Sequence, residues 1–133
     1  MKCLMKPTEN AGTSNLFFFD TYAFIEVIRG NPAYKRFENV PIITTILNIA
    51  ELNYILKKEM SKEKADGYAD QYSIYIVDIT VEDIKNATDL KIKNRNFSLP
   101  DAIGYIIAEK HDARFLTGDE DFKNMSNVEF VKK

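Results

Sequence analysis

The sequence contains little of what several classes of protein require. Its single cysteine, Cys3, cannot form a disulfide within the chain, which excludes a disulfide-stabilised secreted scaffold. Its single histidine, His111, stands in a Lys-His-Asp turn, which argues against Ser-His and Cys-His catalysis. No apolar run approaches the roughly 20 residues that span a bilayer. A glycine-rich phosphate loop is also missing, so nucleotide triphosphate hydrolysis has no support.

What is present is typical of one folded domain. Apolar residues make up 45% and charged residues 29% of the 133 residues, a length that suffices for one core but not for two. Residues 1–15 have no apolar segment directly after their lysines, so we predict a polar extension rather than a signal peptide, followed by a single domain over residues 16–133. The single cysteine fits a reducing cytoplasm, and we expect a cytoplasmic protein with no membrane association. The net charge of −2 identifies no partner by itself.

The chain is organised around the apolar run Leu16–Phe19 and the aspartate that follows it. Four consecutive apolar residues suit a strand that is buried on both faces. The next residues continue without Gly or Pro, which predicts a helix over residues 21–29. Ligands of open α/β sheets gather outside the carboxyl ends of the strands, so Asp20 lies where chemistry is expected. This stretch alone leaves two roles open for Asp20, a helix cap and a functional acid.

Strands and helices alternate along the rest of the chain. Further strands are predicted at residues 40–44, 73–79, 113–117 and 128–131, and further helices begin at Thr45, Ser61, Thr80 and Ser98. This alternation indicates βαβ units and a parallel sheet. An aromatic stripe containing Tyr68 and Tyr72 indicates core or dimer packing.

Four acids stand at informative positions in this pattern. Asp20 and Asp119 each follow a strand, so they can converge at one edge of a parallel sheet, and helices beside that edge can deliver Glu51 and Asp101. Glu51 lies in an apolar stretch, where an unpaired buried charge is costly, and pairing with a lysine is the alternative explanation. Asp101 has a capping arrangement with Ser98 as its alternative role. Clustered carboxylates repel one another and persist only if protons or cations compensate their charge. Mg²⁺ and Mn²⁺ prefer such oxygen ligands and can activate water for attack on a phosphoryl group.

The most basic stretch, residues 91–96, lies in a loop just before Asp101. It contains Lys91, Lys93 and Arg95. A solvated turn and a phosphate contact explain it equally well.

Four motifs occur in a fixed order between Leu16 and the end of the chain: Phe19–Thr21, Thr44–Leu52, Leu99–Ala102 and Phe115–Phe122. Their order and spacing resemble those of the PIN-domain ribonucleases and, within that family, the VapC-like toxins of toxin–antitoxin pairs. The resemblance leaves only the N-terminal extension uncovered, and the first strand of this family usually begins closer to the N-terminus.

The resemblance implies a PIN-like three-layer α/β/α fold with a central parallel sheet of about five strands. It also implies that four acids are the catalytic, metal-binding residues, namely Asp20, Glu51, Asp101 and Asp119. Thr117, and with less support Ser98, would be supporting groups. The implied activity is Mg²⁺- or Mn²⁺-dependent cleavage of RNA by a homodimer, inhibited by a small antitoxin that places an Arg or Lys in the acidic pocket.

Two other functions fit the same motifs. One is a PIN nuclease of RNA processing or decay that has no antitoxin. The other is a catalytically silent module that binds RNA or protein. All four acids being present argues against the silent module, since an inactive domain has no reason to retain a costly acidic cluster.

Overall fold

The structure, a computed structural model, describes residues 15–132. Within them, four strands form at Phe17–Phe19 (β1), Ile42–Ile43 (β2), Arg114–Thr117 (β3) and Val128–Phe130 (β4). The same residues form five α-helices, at Thr21–Ile28 (α1), Ile46–Lys57 (α2), Lys62–Tyr72 (α3), Val81–Lys93 (α4) and Leu99–Lys110 (α5). Short 3₁₀ helices lie at Pro32–Phe37, Ser73–Tyr75 and Glu120–Phe122.

The sheet is parallel throughout and has the order β2-β1-β3-β4. Phe18 of β1 pairs with Ile43 on one side and with Phe115 on the other. The chain passes from β1 to β2 on one side of the sheet and from β3 to β4 on the other. A crevice is therefore expected outside the carboxyl ends of β1 and β3, where the strand order reverses.

The predicted α/β class is confirmed, but the predicted number of about five strands is too high for the described residues. Residues 73–79 do not form the predicted strand: Ser73–Tyr75 is a 3₁₀ helix, and only Ile76 pairs, in a single parallel bridge with Thr44. The bridge cannot lengthen into a ladder because β2 spans only two residues before the chain turns into α2. Ile74 is also exposed, and Tyr75, Val77 and Ile79 are only partly buried against the cores, so the segment packs less closely than a central strand.

The sheet separates two apolar layers, which confirms the predicted three-layer arrangement. Phe18 and Phe115 stack with ring centroids 5.5 Å apart and pack on the side of α4 and α5. Their neighbours Phe19 and Leu116 lie in the opposite layer, with α1 and α2. Successive strand side chains point to opposite faces, so an uninterrupted apolar run such as Phe17–Phe19 serves both layers.

The predicted helix starts are confirmed in detail. Thr45, Ser61, Thr80 and Ser98 are the N-caps of α2 to α5, and each side chain accepts a hydrogen bond from the backbone N–H three residues later. At Thr80 the reciprocal bond from its own N–H to the Asp83 carboxylate completes a capping box. Capping side chains thus explain where the chain changes from strand or loop to helix.

Gly104 lets α5 approach the sheet closely. A Cβ at this position would lie 2.9 Å from the Phe18 ring and 3.2 Å from the Phe115 ring. We expect Gly104→Ala to lower the free energy of unfolding by about 1–3 kcal/mol through overpacking, despite the better helix propensity of alanine. The matched control is Gly67→Ala in α3, where nothing lies within 4 Å of the new Cβ. Urea unfolding should show the control to be more stable than wild type by about 0.5–1 kcal/mol, and equal effects at both positions would contradict this account.

Cys3 and the predicted extension 1–15, apart from Asn15, lie outside the described residues. Within residues 15–132, none of the helices has the length and apolar character needed to cross a membrane.

Candidate active site

Asp20 and Asp119 lie at the carboxyl ends of the two central strands. Asp20 directly follows β1 and is the N-cap of α1, and Asp119 follows β3 by two residues and caps the 3₁₀ helix Glu120–Phe122. Because β1 and β3 are adjacent and parallel, both aspartates come to the same edge of the sheet. This is the edge at which the strand order reverses.

Asp20 is buried and uncharged over much of the acidic range. Its carboxylate accepts hydrogen bonds from the Ala23 N–H, at 2.7 Å, and from the Thr117 hydroxyl. Burial raises the pKa of Asp20 to about 7; the two hydrogen bonds oppose this rise, and the charges of Asp101 and Asp119 add to it. The electrostatic coupling places both of these acids close to Asp20.

Asp101 lies in the first turn of α5, where its N–H donates to Ser98 Oγ at 3.1 Å. The Ser98 side chain also hydrogen-bonds to the Asp101 carboxyl group. Burial raises the pKa of Asp101, and the charges of Asp119 and Glu51 raise it further, against the effect of Ser98. The capping role that the sequence suggested for Ser98 is thus present, and it leaves the Asp101 carboxylate among the other acids.

Glu51 corrects one expectation. It is exposed rather than buried on α2, so no burial penalty demands a partner for it. Its Oε1 accepts a hydrogen bond of 2.8 Å from the Thr21 hydroxyl, and Asn48 Nδ2 in turn approaches that hydroxyl at 3.3 Å. Asn48 is itself held by Thr45, whose hydroxyl donates to its carboxamide oxygen at 2.7 Å.

Sequence reasoning assigned no role to Thr21 or Asn48. Both are buried, although they lie beside an exposed carboxylate. The available signal was an asparagine three residues after a helix cap, on a turn that is otherwise apolar. Buried polar groups that are hydrogen-bonded to each other fix the orientation of the last group in the series of hydrogen bonds. Here that group is the Glu51 carboxylate.

Thr117 connects the two strand-end aspartates. Its hydroxyl donates to Asp20 and accepts from the Asp119 N–H, at 3.1 Å. The side chain is fully buried, so neither bond competes with solvent. Asp119 Oδ1 also accepts the Asp121 N–H at 2.9 Å, which fixes the turn that follows β3.

The basic residues differ in their surroundings. The predicted loop over residues 91–96 is wrong at its start, because Lys91 and Lys93 lie in the last turn of α4 and only Arg95 follows the helix. Lys91 Nζ donates to the carbonyl oxygens of Phe97, at 2.7 Å, and Arg95, at 3.3 Å. Lys93 and Arg95 are exposed and line a polar cavity together with Asp121. The end of α4 and the loop that follows it therefore lie beside Asp121, in the turn after β3.

The donor set suits a hard divalent cation, because all of its ligand atoms are carboxylate or hydroxyl oxygens. Burial raises the pKa values of Asp20 and Asp101, and repulsion from the neighbouring acids adds to the rise. Within residues 15–132, however, no three Asp, Glu, His or Cys side chains are arranged to hold one metal ion. Mg²⁺ keeps several waters and binds through one or two carboxylates, so the pairwise approach of these acids fits it.

These features define a class of protein: a three-layer α/β domain with acids gathered at the carboxyl edge of a parallel sheet. The sequence matches the profile of the PIN domain over residues 17–128. The chain therefore belongs to the PIN domain family. No curated protein matches it in sequence.

Solved structures share the fold. A toxin–antitoxin complex from Klebsiella pneumoniae matches with a TM-score of 0.71 and 21% identity, over 85% of this chain and 95% of the other. VapBC2 from Rickettsia felis, bound to a DNA fragment from its promoter, matches with a TM-score of 0.67 and 18% identity, over 88% of this chain and 98% of the other. VapBC-1 from nontypeable Haemophilus influenzae matches with a TM-score of 0.64 and 14% identity, over 88% of this chain and 97% of the other. Identities this low show similarity of fold alone.

Proposed function

We propose that this chain is a Mg²⁺- or Mn²⁺-dependent endoribonuclease that acts as a VapC-like toxin. The observation that supports this most is the position of Asp20 and Asp119 at the carboxyl ends of the adjacent parallel strands β1 and β3, where Thr117 lies between them. Beyond the effect of burial, Asp101 and Asp119 lie close enough to Asp20 for their charges to raise its pKa, and Asp119 and Glu51 lie close enough to raise the pKa of Asp101. Carboxylates brought together in this way require compensation, and a divalent cation supplies it. Membership of the PIN family supports the nuclease chemistry.

In this proposal the four acids, Asp20, Glu51, Asp101 and Asp119, would hold the cation, one or two of them directly and the others through the waters that it retains. When bound, it activates water and stabilises charge on the phosphoryl group during in-line displacement. Thr117 fixes Asp20, and Ser98 fixes Asp101, through the hydrogen bonds described above. The buried Thr21 and Asn48 hold Glu51 at the mouth of the site.

RNA would approach from the side of the basic loop. Lys93 and Arg95 are exposed beside Asp121, two residues after Asp119, and we propose that they contact phosphates that flank the cleaved bond. Lys91 lies in the last turn of α4, and its ammonium contacts backbone carbonyls of the loop that follows. These residues offset the negative charge that the acidic site presents to RNA.

The antitoxin is the second half of the proposal. The structural neighbours from three bacteria are toxin–antitoxin complexes, which favours an antitoxin partner for this chain. We propose that a segment of that partner places an Arg or Lys among the acids, where it compensates their charge and excludes the metal. A PIN nuclease without an antitoxin remains the alternative, and it would work in a reducing cytoplasm as well.

The test begins with purified protein and single-stranded RNA. We expect cleavage with Mg²⁺ or Mn²⁺ and none with EDTA. Expression in a bacterial host should arrest growth, and co-expression of a small neighbouring reading frame should restore it. RNA cleavage without toxicity would favour the processing nuclease, and absence of cleavage with either metal would refute the nuclease.

We also expect a homodimer, although Tyr68 and Tyr72, whose stripe indicated core or dimer packing, pack against the core of this chain. Phe24 and Ala65 are fully buried in the core of this chain, and Tyr72 packs against Phe24 with ring centroids 4.6 Å apart. The large apolar side chains that are exposed instead include Tyr54 and Ile74. Light scattering at tens of micromolar should give twice the monomer mass, and a monomer there would refute the dimer.

A further inference from the structure

The loop between α4 and α5 forms one wall of a polar cavity beside the acids. The cavity has a volume of about 320 Å³ and is lined by Lys93, Asn94, Arg95, Asn96, Phe97 and Asp121. This is within the range of sites that hold a small ligand or one unit of a polymer. The loop leads into the first turn of α5, which contains Asp101, and Asp121 donates its N–H to Asp119.

The loop is held in shape by bonds that do not involve the cavity-lining charges. Lys91 Nζ donates to the Phe97 and Arg95 carbonyls, and Asn94 Nδ2 donates to the Leu90 carbonyl at 3.0 Å. The Phe97 ring stacks on Phe122 at 4.0 Å and 11°, which ties the loop to the 3₁₀ helix after Asp119. The cavity is thus built before any ligand binds.

Three kinds of polar group face this cavity. Lys93 and Arg95 supply positive charge, Asn96 a carboxamide and Asp121 a carboxylate, and among residues 15–132 none of these four side chains has a hydrogen-bond or ion-pair partner. Cations suit a phosphate. The Asp121 carboxylate repels phosphate, so it suits a hydrogen-bond donor on another part of the same ligand.

We propose that this cavity binds the nucleotide adjoining the cleaved bond and selects its base; this rests on the proposed ribonuclease function. Lys93 and Arg95 contact the phosphate, and Asp121 and Asn96 contact the base. A carboxylate accepts from the amino groups of adenine, cytosine and guanine, whereas the N3–H of uracil lies between two carbonyl oxygens that repel the carboxylate. The site therefore disfavours uracil. Lys91 is a positioning residue that holds the cavity wall.

The first test uses a pool of short single-stranded RNAs of random sequence, cut in Mn²⁺, with the new ends sequenced. Wild type should avoid uracil at one position next to the cut. Asp121→Ala should raise the use of uracil there on the order of tenfold. Glu120→Ala, a neighbouring acid that does not line the cavity, is the control and should keep the wild-type preference. An equal use of uracil next to the cut by Asp121→Ala and Glu120→Ala would overturn the proposal.

A loss of cleavage on all RNAs alike in Asp121→Ala, with an unchanged melting temperature, would group Asp121 with the metal-binding acids and would also overturn it. If wild type cuts no RNA, the ribonuclease function fails, and the cavity is then tested by binding alone. Fluorescence anisotropy in EDTA at low salt compares wild type with Lys93→Ala/Arg95→Ala.

The double variant should bind RNA more weakly, with a salt dependence that is shallower by roughly 0.7 per lost cation. Lys85→Ala on α4 does not line the cavity and is the matched control. Equal affinities and salt slopes in wild type and the double variant would refute phosphate binding here. Lys91→Met should impair base selection, and Lys91→Arg, which keeps the donors, should restore it.

Discussion

Purified Asp101→Asn and Asp20→Asn proteins are expected to lose Mg²⁺- or Mn²⁺-dependent RNA cleavage by roughly two orders of magnitude or more. Without metal, they are expected to melt no lower than wild type. The amide keeps the size of the carboxyl group and removes a charged ligand. It also removes one of the charges that repel each other, and the raised pKa values show that the fold opposes ionisation of both residues.

Capping does not reverse this expectation. Asp20 caps α1 through the Ala23 N–H and accepts the Thr117 hydroxyl, and an asparagine oxygen can accept both bonds. Asparagine is as good an N-cap as aspartate. With added Mn²⁺ wild type should gain melting temperature, because the ion binds the folded state, and the variants should gain less.

Asp83 offers a matched control at the opposite end of the α4–α5 pair. It is also a buried aspartate in a helix cap, but Lys110 Nζ lies 3.1 Å from its carboxylate. Burial opposes its charge, yet the Thr80 N–H and Lys110 outweigh burial and lower the pKa of Asp83.

We therefore expect Asp83→Asn to lose about 1 kcal/mol of stability and to keep its activity. Replacement of aspartate by asparagine should thus abolish activity without lowering stability at Asp20 and Asp101, and lower stability without changing activity at Asp83. Cleavage by Asp101→Asn at the wild-type rate would remove Asp101 from the catalytic group.

The sequence was most informative where one residue type has one strong local role. Ser61, Thr80 and Ser98 are caps in the structure because a short hydroxyl side chain reaches the backbone three residues on, whatever the tertiary context. The run Phe17–Phe19 is similarly direct, since a parallel central strand must be apolar on both faces. These two signals predict most of the order of elements.

The errors arose where tertiary context decides. Residues 73–79 are apolar enough for a strand, but their partner β2 is too short to pair with more than Ile76. Glu51 stands between apolar neighbours in sequence, yet the helix turns its side chain outward. The link from Asn48 through Thr21 to Glu51 joins residues up to 30 positions apart, and no local pattern contains such a contact.

The second large effect concerns pH and metal-free stability. Between about pH 4 and pH 7, wild type in EDTA is expected to lose stability relative to Asp20→Asn. The pKa of Asp20 is about 7 in the folded protein against 3.8 ordinarily, so in this interval the folded state keeps a proton that the unfolded chain releases. Stability falls with rising pH wherever the folded state binds more protons.

The difference should be absent below pH 3.8, grow through the interval and be constant above about pH 7. A shift of this size corresponds to a loss on the order of 4 kcal/mol at neutral pH. The amide variant does not titrate at this position, so the contributions of distant groups cancel in the comparison.

Urea unfolding of both proteins at pH 4.5, 5.5, 6.5 and 7.5 measures this difference directly. Saturating Mn²⁺ at pH 7.5 should return much of the lost stability to wild type, because the ion binds the ionised form of the acids, and much less to Asp20→Asn. The difference in the free energy of unfolding could instead stay constant across this pH range, or wild type could become more stable relative to the variant as pH rises. Either result would show that Asp20 is ionised without metal. The clustered acids would then need no cation to coexist, and the main support for the metal site would be lost.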